Sequence, residues 1–124
     1  GTSNVFFVIG EELITPPLAG TILAGITRDS VIQLARHWGL PVSERPISMD
    51  EILAAAAQGT LKEAFASGTA AIVSPIGQIS YRGREYVING GKTGPLTEKL
   101  YQEILQIQYG EKEDPFGWRV KISD

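Results

Sequence analysis

The feature that most constrains the fold is a run of five apolar residues, 5–9, close to the start of the 124-residue chain. Its β-branched and aromatic side chains predict a buried strand that ends at Gly10. Glu12–Thr15 predicts a second strand, which returns after a turn at residues 10–11. The prolines at 16 and 17 end this strand, because proline cannot donate to a strand ladder.

Three helices are predicted from apolar spacing and capping residues. The first begins at Thr27 or Arg28 and stops at Gly39. Its apolar face carries Val31, Leu34, Ala35 and Trp38. Ser48 and Glu51 form a capping box ahead of the second helix, which ends near Gly59. The third helix opens at residues 94–95, and its apolar face carries Leu96, Leu100 and Ile104.

Short extended segments account for much of the remaining chain. Residues 42–47 predict one such stretch, and residues 70–74, 79–81 and 85–88 predict three strands joined by hairpin-like connections at 75–77 and 82–84. The resulting order, ββ-α-(short β)-α-βββ-α, predicts one domain of mixed α/β or α+β class over residues 1–124, with a mixed sheet packed against helices.

Composition excludes several function classes. The formal net charge is −3 and there is no basic stripe, which argues against general nucleic-acid binding. The absence of cysteine and the single histidine, His37, give no basis for a disulfide, a thiolate zinc site or a His-rich metal site, so no metal is predicted. The apolar runs are far shorter than the ~20 residues of a membrane helix, so no membrane role is predicted.

Two glycine-containing segments are candidate anion sites. In residues 25–30, the amides of Ile26 and Thr27 and the Thr27 hydroxyl can cradle a phosphate at a helix start, or Thr27 can simply cap its own helix. In residues 67–71, small residues can expose consecutive backbone N–H groups to an anion, or form an ordinary tight turn. The residues alone leave both alternatives open.

An ordered set of motifs resembles the branched-chain amino-acid aminotransferases. The matching segments are residues 12–18, 25–30, 63–71, 94–97 and 107–110, and the resemblance runs from Gly1 to about Val120. These enzymes use pyridoxal 5'-phosphate and have the D-amino-acid aminotransferase-like fold. The resemblance implies that the chain is most of their C-terminal domain. It also favours the anion-binding alternative at both glycine-containing segments.

The resemblance assigns roles to particular residues. Ile26 and Thr27 correspond to the turn that binds the cofactor phosphate, and Thr69 corresponds to a threonine that also reaches this phosphate. Ala70 and Ala71 correspond to the turn that receives the substrate carboxylate.

Two further residues are assigned to the cofactor ring. Leu23 corresponds to a side chain packed against the ring, and Thr2 falls in the segment that lines its pyridine side.

The sequence also departs from the family pattern. The lysine that forms the Schiff base, the glutamate that pairs with the pyridine nitrogen, and an arginine at the phosphate all lie upstream of the matching segment in the family. We therefore expect a C-terminal fragment that lacks the N-terminal domain, has no catalytic residue, binds the cofactor weakly or not at all, and is inactive alone. Ala71 and Ser74 occupy the positions of a redox Cys-x-x-Cys pair found in some relatives, so no thiol switch is expected.

The resemblance implies a parent enzyme of amino-acid biosynthesis. It would exchange an amino group between leucine, isoleucine or valine and 2-oxoglutarate, as a cytoplasmic homodimer whose N-terminal half completes the site. Alternatives are a D-amino-acid aminotransferase or an aminodeoxychorismate lyase of the same fold. A non-catalytic binding domain derived from that fold is a further alternative.

Overall fold

The structure is a computed structural model that describes residues 4–17, 22–68 and 73–108. Within these ranges the strands are β1 (Asn4–Ile9), β2 (Glu12–Thr15), β3 (Val42–Glu44), β4 (Leu61–Ser67), β5 (Val73–Pro75), β6 (Gln78–Tyr81) and β7 (Arg84–Val87). The helices are α1 (Ile22–His37), α2 (Met49–Gln58) and α3 (Pro95–Gln108), with a short 3₁₀ turn at Asn89–Gly91. No helix in the described ranges is both long and apolar enough to cross a membrane.

The main sheet has five strands in the order β3-β2-β1-β4-β5. β1 pairs antiparallel with β2 and with β4, whereas β2 and β3 are parallel. The prediction of a mixed sheet packed with helices is therefore confirmed. β1 lies at the centre, so its apolar residues are covered on both faces, as the sequence predicts.

One end of the sheet gathers several chain segments. Asn4 starts β1 and pairs with Ser67 at the end of β4, which in turn pairs with Val73 at the start of β5. Thr15, at the end of β2, donates its hydroxyl to the Val5 carbonyl oxygen at 2.8 Å. We call this end of the sheet the Asn4 end, and the opposite end, where Gly10 turns, the Gly10 end.

The parallel pairing of β2 and β3 requires a crossover, and α1 provides it. A crossover helix starts at the sheet end where the preceding strand finishes. α1 therefore begins at the Asn4 end. The Arg28 Nη2 atom confirms this placement, because it donates to the Pro16 carbonyl oxygen at 2.9 Å.

The two faces of the sheet have separate cores. On one face, Phe6 and Phe65 stack with ring centroids 4.9 Å apart, among residues of α1 and α3. On the other face, Phe7 and Ala64 pack against α2 and against Ile88, which follows β7. The sheet is thus a middle layer between helices α1 and α3 and a second layer formed by α2 and the β6–β7 ribbon.

α2 begins and ends as its sequence predicts. The Ser48 hydroxyl accepts a hydrogen bond from the Glu51 backbone N–H at 3.1 Å, and Gly59 ends the helix with φ of +77°. The Glu51 carboxylate does not complete the capping box through Ser48. It instead accepts two hydrogen bonds from Arg45, at 3.0 and 2.6 Å.

α3 begins at Pro95, as predicted, but its cap comes from another element. The Glu63 carboxylate of β4 accepts hydrogen bonds from the Leu96 N–H at 3.1 Å and from the Thr97 N–H and hydroxyl at 2.8 Å each. A Cβ at Gly94 would lie 2.1 Å from the Glu63 Cδ atom. Gly94 therefore leaves the space that the Glu63 carboxylate occupies.

Three strand predictions need correction. The predicted segments do not include β4, although it pairs with both β1 and β5 in the main sheet. Residues 75–77 connect two different sheets, because β6 pairs with β7 alone through the predicted turn at residues 82–84. Strand β3 occupies only the first half of the predicted stretch 42–47. Of the predicted strand 70–74, residues 70–72 lie outside the described residues.

Candidate functional site

The described ranges contain only part of the predicted site. Thr2, Thr69, Ala70 and Ala71 lie outside the described residues. Leu23 is in α1, but its side chain also lies outside the description. Ile26 and Thr27 are described in full, so the geometry of the site rests on these two residues and on the described neighbours of the others.

The placement of Ile26 and Thr27 corrects one expectation. α1 begins at Ile22, so both residues lie beyond its first turn rather than at the helix start. In a regular α-helix their amides bond to carbonyls four residues earlier and are not free for an anion. The added turn is possible because residues 22–24 are compatible with a helix, and Gly25 inside it costs only about 1 kcal/mol. Ile26 is 46% exposed, whereas Thr27 is 4% exposed.

The sheet register brings together the described residues that flank the other predicted segments. Thr2 lies two positions before Asn4, and Thr69, Ala70 and Ala71 lie between Ser67 and Val73. Asn4, Ser67 and Val73 are neighbours on three adjacent strands. The strand ends that flank both segments therefore lie at the Asn4 end, where α1 also starts.

The Asn4 end is rich in buried polar residues. The buried polar residues there are Asn4, Thr15, Thr27, Arg28, Ser30 and Ser67, each at most 7% exposed. On β1, β2 and β4 these positions continue the face that packs against α1, because Phe6, Leu13 and Phe65 alternate with the opposite face. This end of the core is thus polar where the remainder of the same face is apolar.

Arg28 ties the start of α1 to two neighbouring segments. Its Nη1 atom lies 3.1 Å from the Glu44 carboxylate at the end of β3, and its Nη2 atom bonds to the Pro16 carbonyl oxygen. Arg36 also contacts the Glu44 carboxylate, at 3.3 Å. The Arg28 guanidinium therefore fixes the segment that leaves β2 relative to the helix that follows it.

Two polar atoms among the described residues are buried without a hydrogen-bond partner. They are the Arg28 Nε atom and the Ser67 hydroxyl oxygen, and both lie at the Asn4 end. Each can donate a hydrogen bond. The sequence motifs include both residues but assign a role to neither, because nothing in a sequence shows which buried donors lack a partner.

The electrostatic arrangement at this end fits an anion. α1 has no acidic residue in its first turn, so no side chain of that turn neutralises the positive end of the helix dipole. Among the described residues nearby, Ser67 and Arg28 each have one buried donor without a partner. The donor set therefore fits a phosphate group better than a cation.

Three clefts of the described structure are not lined by these residues. Two clefts, of about 520 and 410 Å³, share Lys62, Glu63 and Pro95 and lie toward the Gly10 end. A smaller one of about 160 Å³ lies between β5 and α3. None of the described site residues lines these three clefts. The Glu63 oxygens are already bound by α3, so this carboxylate does not offer a free acid in the first two.

No group of three or more His, Cys, Asp or Glu residues in the described ranges is arranged to hold a metal ion. His37 is exposed, at the last position of α1.

Comparison with known proteins gives the family. Residues 1–79, more than half of the chain, match the family described as Amino-transferase class IV. The chain belongs to the class IV aminotransferases. It is 48% identical over 122 residues to branched-chain-amino-acid transaminase 1 of Bacillus subtilis, which covers 98% of the chain and 34% of that protein. It is 49% identical over 122 residues to a probable branched-chain-amino-acid aminotransferase of Staphylococcus aureus, with the same coverage.

Solved structures of class IV aminotransferases share the fold. The branched-chain amino acid aminotransferase from Escherichia coli has a TM-score of 0.70 at 35% identity, over 94% of this chain and 36% of that one. A second branched-chain amino acid aminotransferase, complexed with N-(5'-phosphopyridoxyl)-L-glutamate, has a TM-score of 0.75 at 29% identity and the same coverage. The expected fold is confirmed, and this chain spans about one third of the length of the relatives it matches.

Proposed function

We propose that this chain forms the C-terminal domain part of a pyridoxal-phosphate-dependent transaminase. The enzyme would move an amino group between branched-chain amino acids and 2-oxoglutarate. The observation that carries the proposal is 48% identity to a branched-chain-amino-acid transaminase over 98% of the chain. The described residues that flank the predicted site segments meet at the Asn4 end, which supports it.

The proposed roles follow the donors at this end. Thr27 and Thr69 would hold the cofactor phosphate, with a backbone contribution from Ile26, and Ala70 and Ala71 would receive the substrate carboxylate. An amide contact from Ile26 or Thr27 requires the first turn of α1 to open. When bound, the cofactor acts as an electron sink for the substrate's α-carbon.

The other proposed contacts concern the cofactor ring. Leu23 would pack against the ring, and Thr2 would line its pyridine side. The chain's residues therefore bind and orient the cofactor and substrate. The residues that move the substrate proton would come from the N-terminal half of the enzyme.

A visible absorption titration tests the proposed function. The intact protein as its gene encodes it is titrated with pyridoxal phosphate and then with leucine. We expect an absorption band that leucine removes and 2-oxoglutarate restores. A protein that forms no such band would refute the proposal, and a band that responds to D-alanine but not to leucine would favour a D-amino-acid aminotransferase.

Two threonine variants test the proposed phosphate contacts. Thr27→Val and Thr69→Val each remove a hydroxyl while keeping the side-chain volume. A hydrogen bond to a charged group contributes about 1.5–3 kcal/mol, so each variant should bind pyridoxal phosphate roughly tenfold or more weakly. Thr60→Val is the matched control, because the Thr60 hydroxyl bonds to the Ala55 carbonyl oxygen at 3.3 Å, toward the Gly10 end. Unchanged affinity in both site variants would eliminate the assigned roles.

A further inference from the structure

The hydroxyl of Ser67 is an exception among the buried hydroxyls of the described chain. Ser67 is 1% exposed, and its Oγ atom has no hydrogen-bond partner. By contrast, the buried hydroxyls of Thr15, Ser30 and Thr97 donate to oxygen atoms of Val5, Ile26 and Glu63, respectively. A buried polar group left without a partner costs about 1–3 kcal/mol. Such groups are rare in native proteins and call for an explanation.

The position of Ser67 explains why its hydroxyl has no partner within the protein. Ser67 is the last residue of β4 and comes two positions before Thr69. Its pairing partners are Asn4 and Val73, at the Asn4 end of the sheet. An unpaired donor therefore lies where the predicted phosphate-binding and carboxylate-binding turn leaves the sheet.

The hydrogen-bonding capacity of Ser67 and the charge of its surroundings indicate the chemistry of the ligand. The Ser67 hydroxyl can donate a hydrogen bond; the other unpartnered donor among the described residues, Arg28 Nε, lies on the β2–β3 side of this end, with β1 between it and Ser67. A ligand that satisfies donors must present acceptor oxygens. The first turn of α1 has no acidic side chain to neutralise the positive end of the helix dipole, and this also favours a negatively charged ligand.

We propose that Ser67 is a further ligand-binding residue whose hydroxyl donates a hydrogen bond to a phosphate oxygen of the bound cofactor. This inference rests on the proposed function. It extends that function because no sequence motif assigns a contact to Ser67.

The test combines ligand affinity with stability in the absence of ligand. Ser67→Ala in the intact protein should bind both pyridoxal phosphate and inorganic phosphate about tenfold or more weakly. Its affinity for pyridoxal, which lacks the phosphate, should be unchanged. Without ligand its urea midpoint should equal or exceed that of the wild type, because the lost hydroxyl has no partner. Ser67→Thr keeps a hydroxyl and should recover part of the affinity.

Four results would overturn the inference. If the wild type binds pyridoxal phosphate and Ser67→Ala binds both phosphate ligands equally well, this inference is overturned but the proposed function is not. Weakened leucine binding with intact phosphate binding would assign Ser67 to the substrate carboxylate instead. A lower urea midpoint together with an equal loss for pyridoxal would show a structural role. A wild-type protein that binds neither phosphate ligand would overturn this inference and the proposed function together.

Discussion

Replacing Glu63 by alanine tests whether the start of α3 depends on a side chain from β4. The carboxylate is 6% exposed and accepts three hydrogen bonds from Leu96 and Thr97. Loss of a helix cap costs about 0.5–2 kcal/mol, and hydrogen bonds to a charged group contribute about 1.5–3 kcal/mol each. Because part of this is offset when water reaches the freed N–H groups, we expect Glu63→Ala to lose about 2–4 kcal/mol of unfolding free energy.

Gly94→Ala should produce a similar loss through the same carboxylate. The added Cβ would lie 2.1 Å from the Glu63 Cδ atom, which is far inside van der Waals contact. The carboxylate must then move away from the α3 amides. In a Glu63→Ala background the space is empty, so Gly94→Ala should cost only about 0.5–1 kcal/mol, the difference between glycine and alanine at a helix N-cap.

A double-mutant cycle measured by urea denaturation checks this reasoning. With a slope of about 2 kcal/mol per molar urea, each single variant should lower the midpoint by roughly 1–2 M. The coupling free energy between Glu63 and Gly94 should be at least about 1 kcal/mol. Additive losses, within about 0.5 kcal/mol, would refute the steric argument. Lys62→Ala, an exposed neighbour on β4, is the control and should change stability by less than about 0.5 kcal/mol.

Three further predictions concern α2. The hydrogen bond from Arg45 lowers the pKa of Glu51, so the pair stabilises the fold above the ordinary glutamate pKa, and this contribution is lost as pH falls through the lowered pKa. The difference in urea midpoint between wild type and Glu51→Gln should therefore shrink between pH 7 and pH 3, and a constant difference would contradict it. Gly59→Ala should lose about 1–2 kcal/mol because φ is +77° there, and equal stability in thermal unfolding would argue against the left-handed cap. Ser48→Ala should lose about 1 kcal/mol of unfolding free energy in urea, whereas Ser48→Asp should not.

Elements with local signals could be predicted from the sequence. β1 and β2 follow from their apolar runs and the intervening turn at Gly10, and α2 follows from Ser48 at its start and Gly59 at its end. β4 has no such signal, since its alanines and the pair Lys62 and Glu63 are common in helices. It becomes a strand because β1 and β5 pair with it on both sides, and this pairing depends on residues far away in sequence.

The site shows the same division between local and distant information. The motifs locate the segments that carry Thr27 and Thr69, but they misplace the start of α1, where the helix includes an additional turn before Thr27. Only the strand register shows that Asn4 and Ser67 are neighbours. The buried donor of Ser67 depends on this register and on packing, so no spacing in the sequence could predict it.

Each end of β4 carries a buried polar side chain, but only one of the two has hydrogen-bond partners. Toward the Gly10 end, both carboxylate oxygens of Glu63 accept hydrogen bonds from the start of α3. The cleft that Glu63 lines there contains no predicted site residue. At the Asn4 end, Ser67 is equally buried but has no partner. A satisfied buried group contributes to folding, whereas an unsatisfied one costs stability until a ligand supplies an acceptor. Substitutions at the two ends of β4 should therefore have different effects. Glu63 variants should be less stable, and Ser67 variants should lose anion affinity without losing stability.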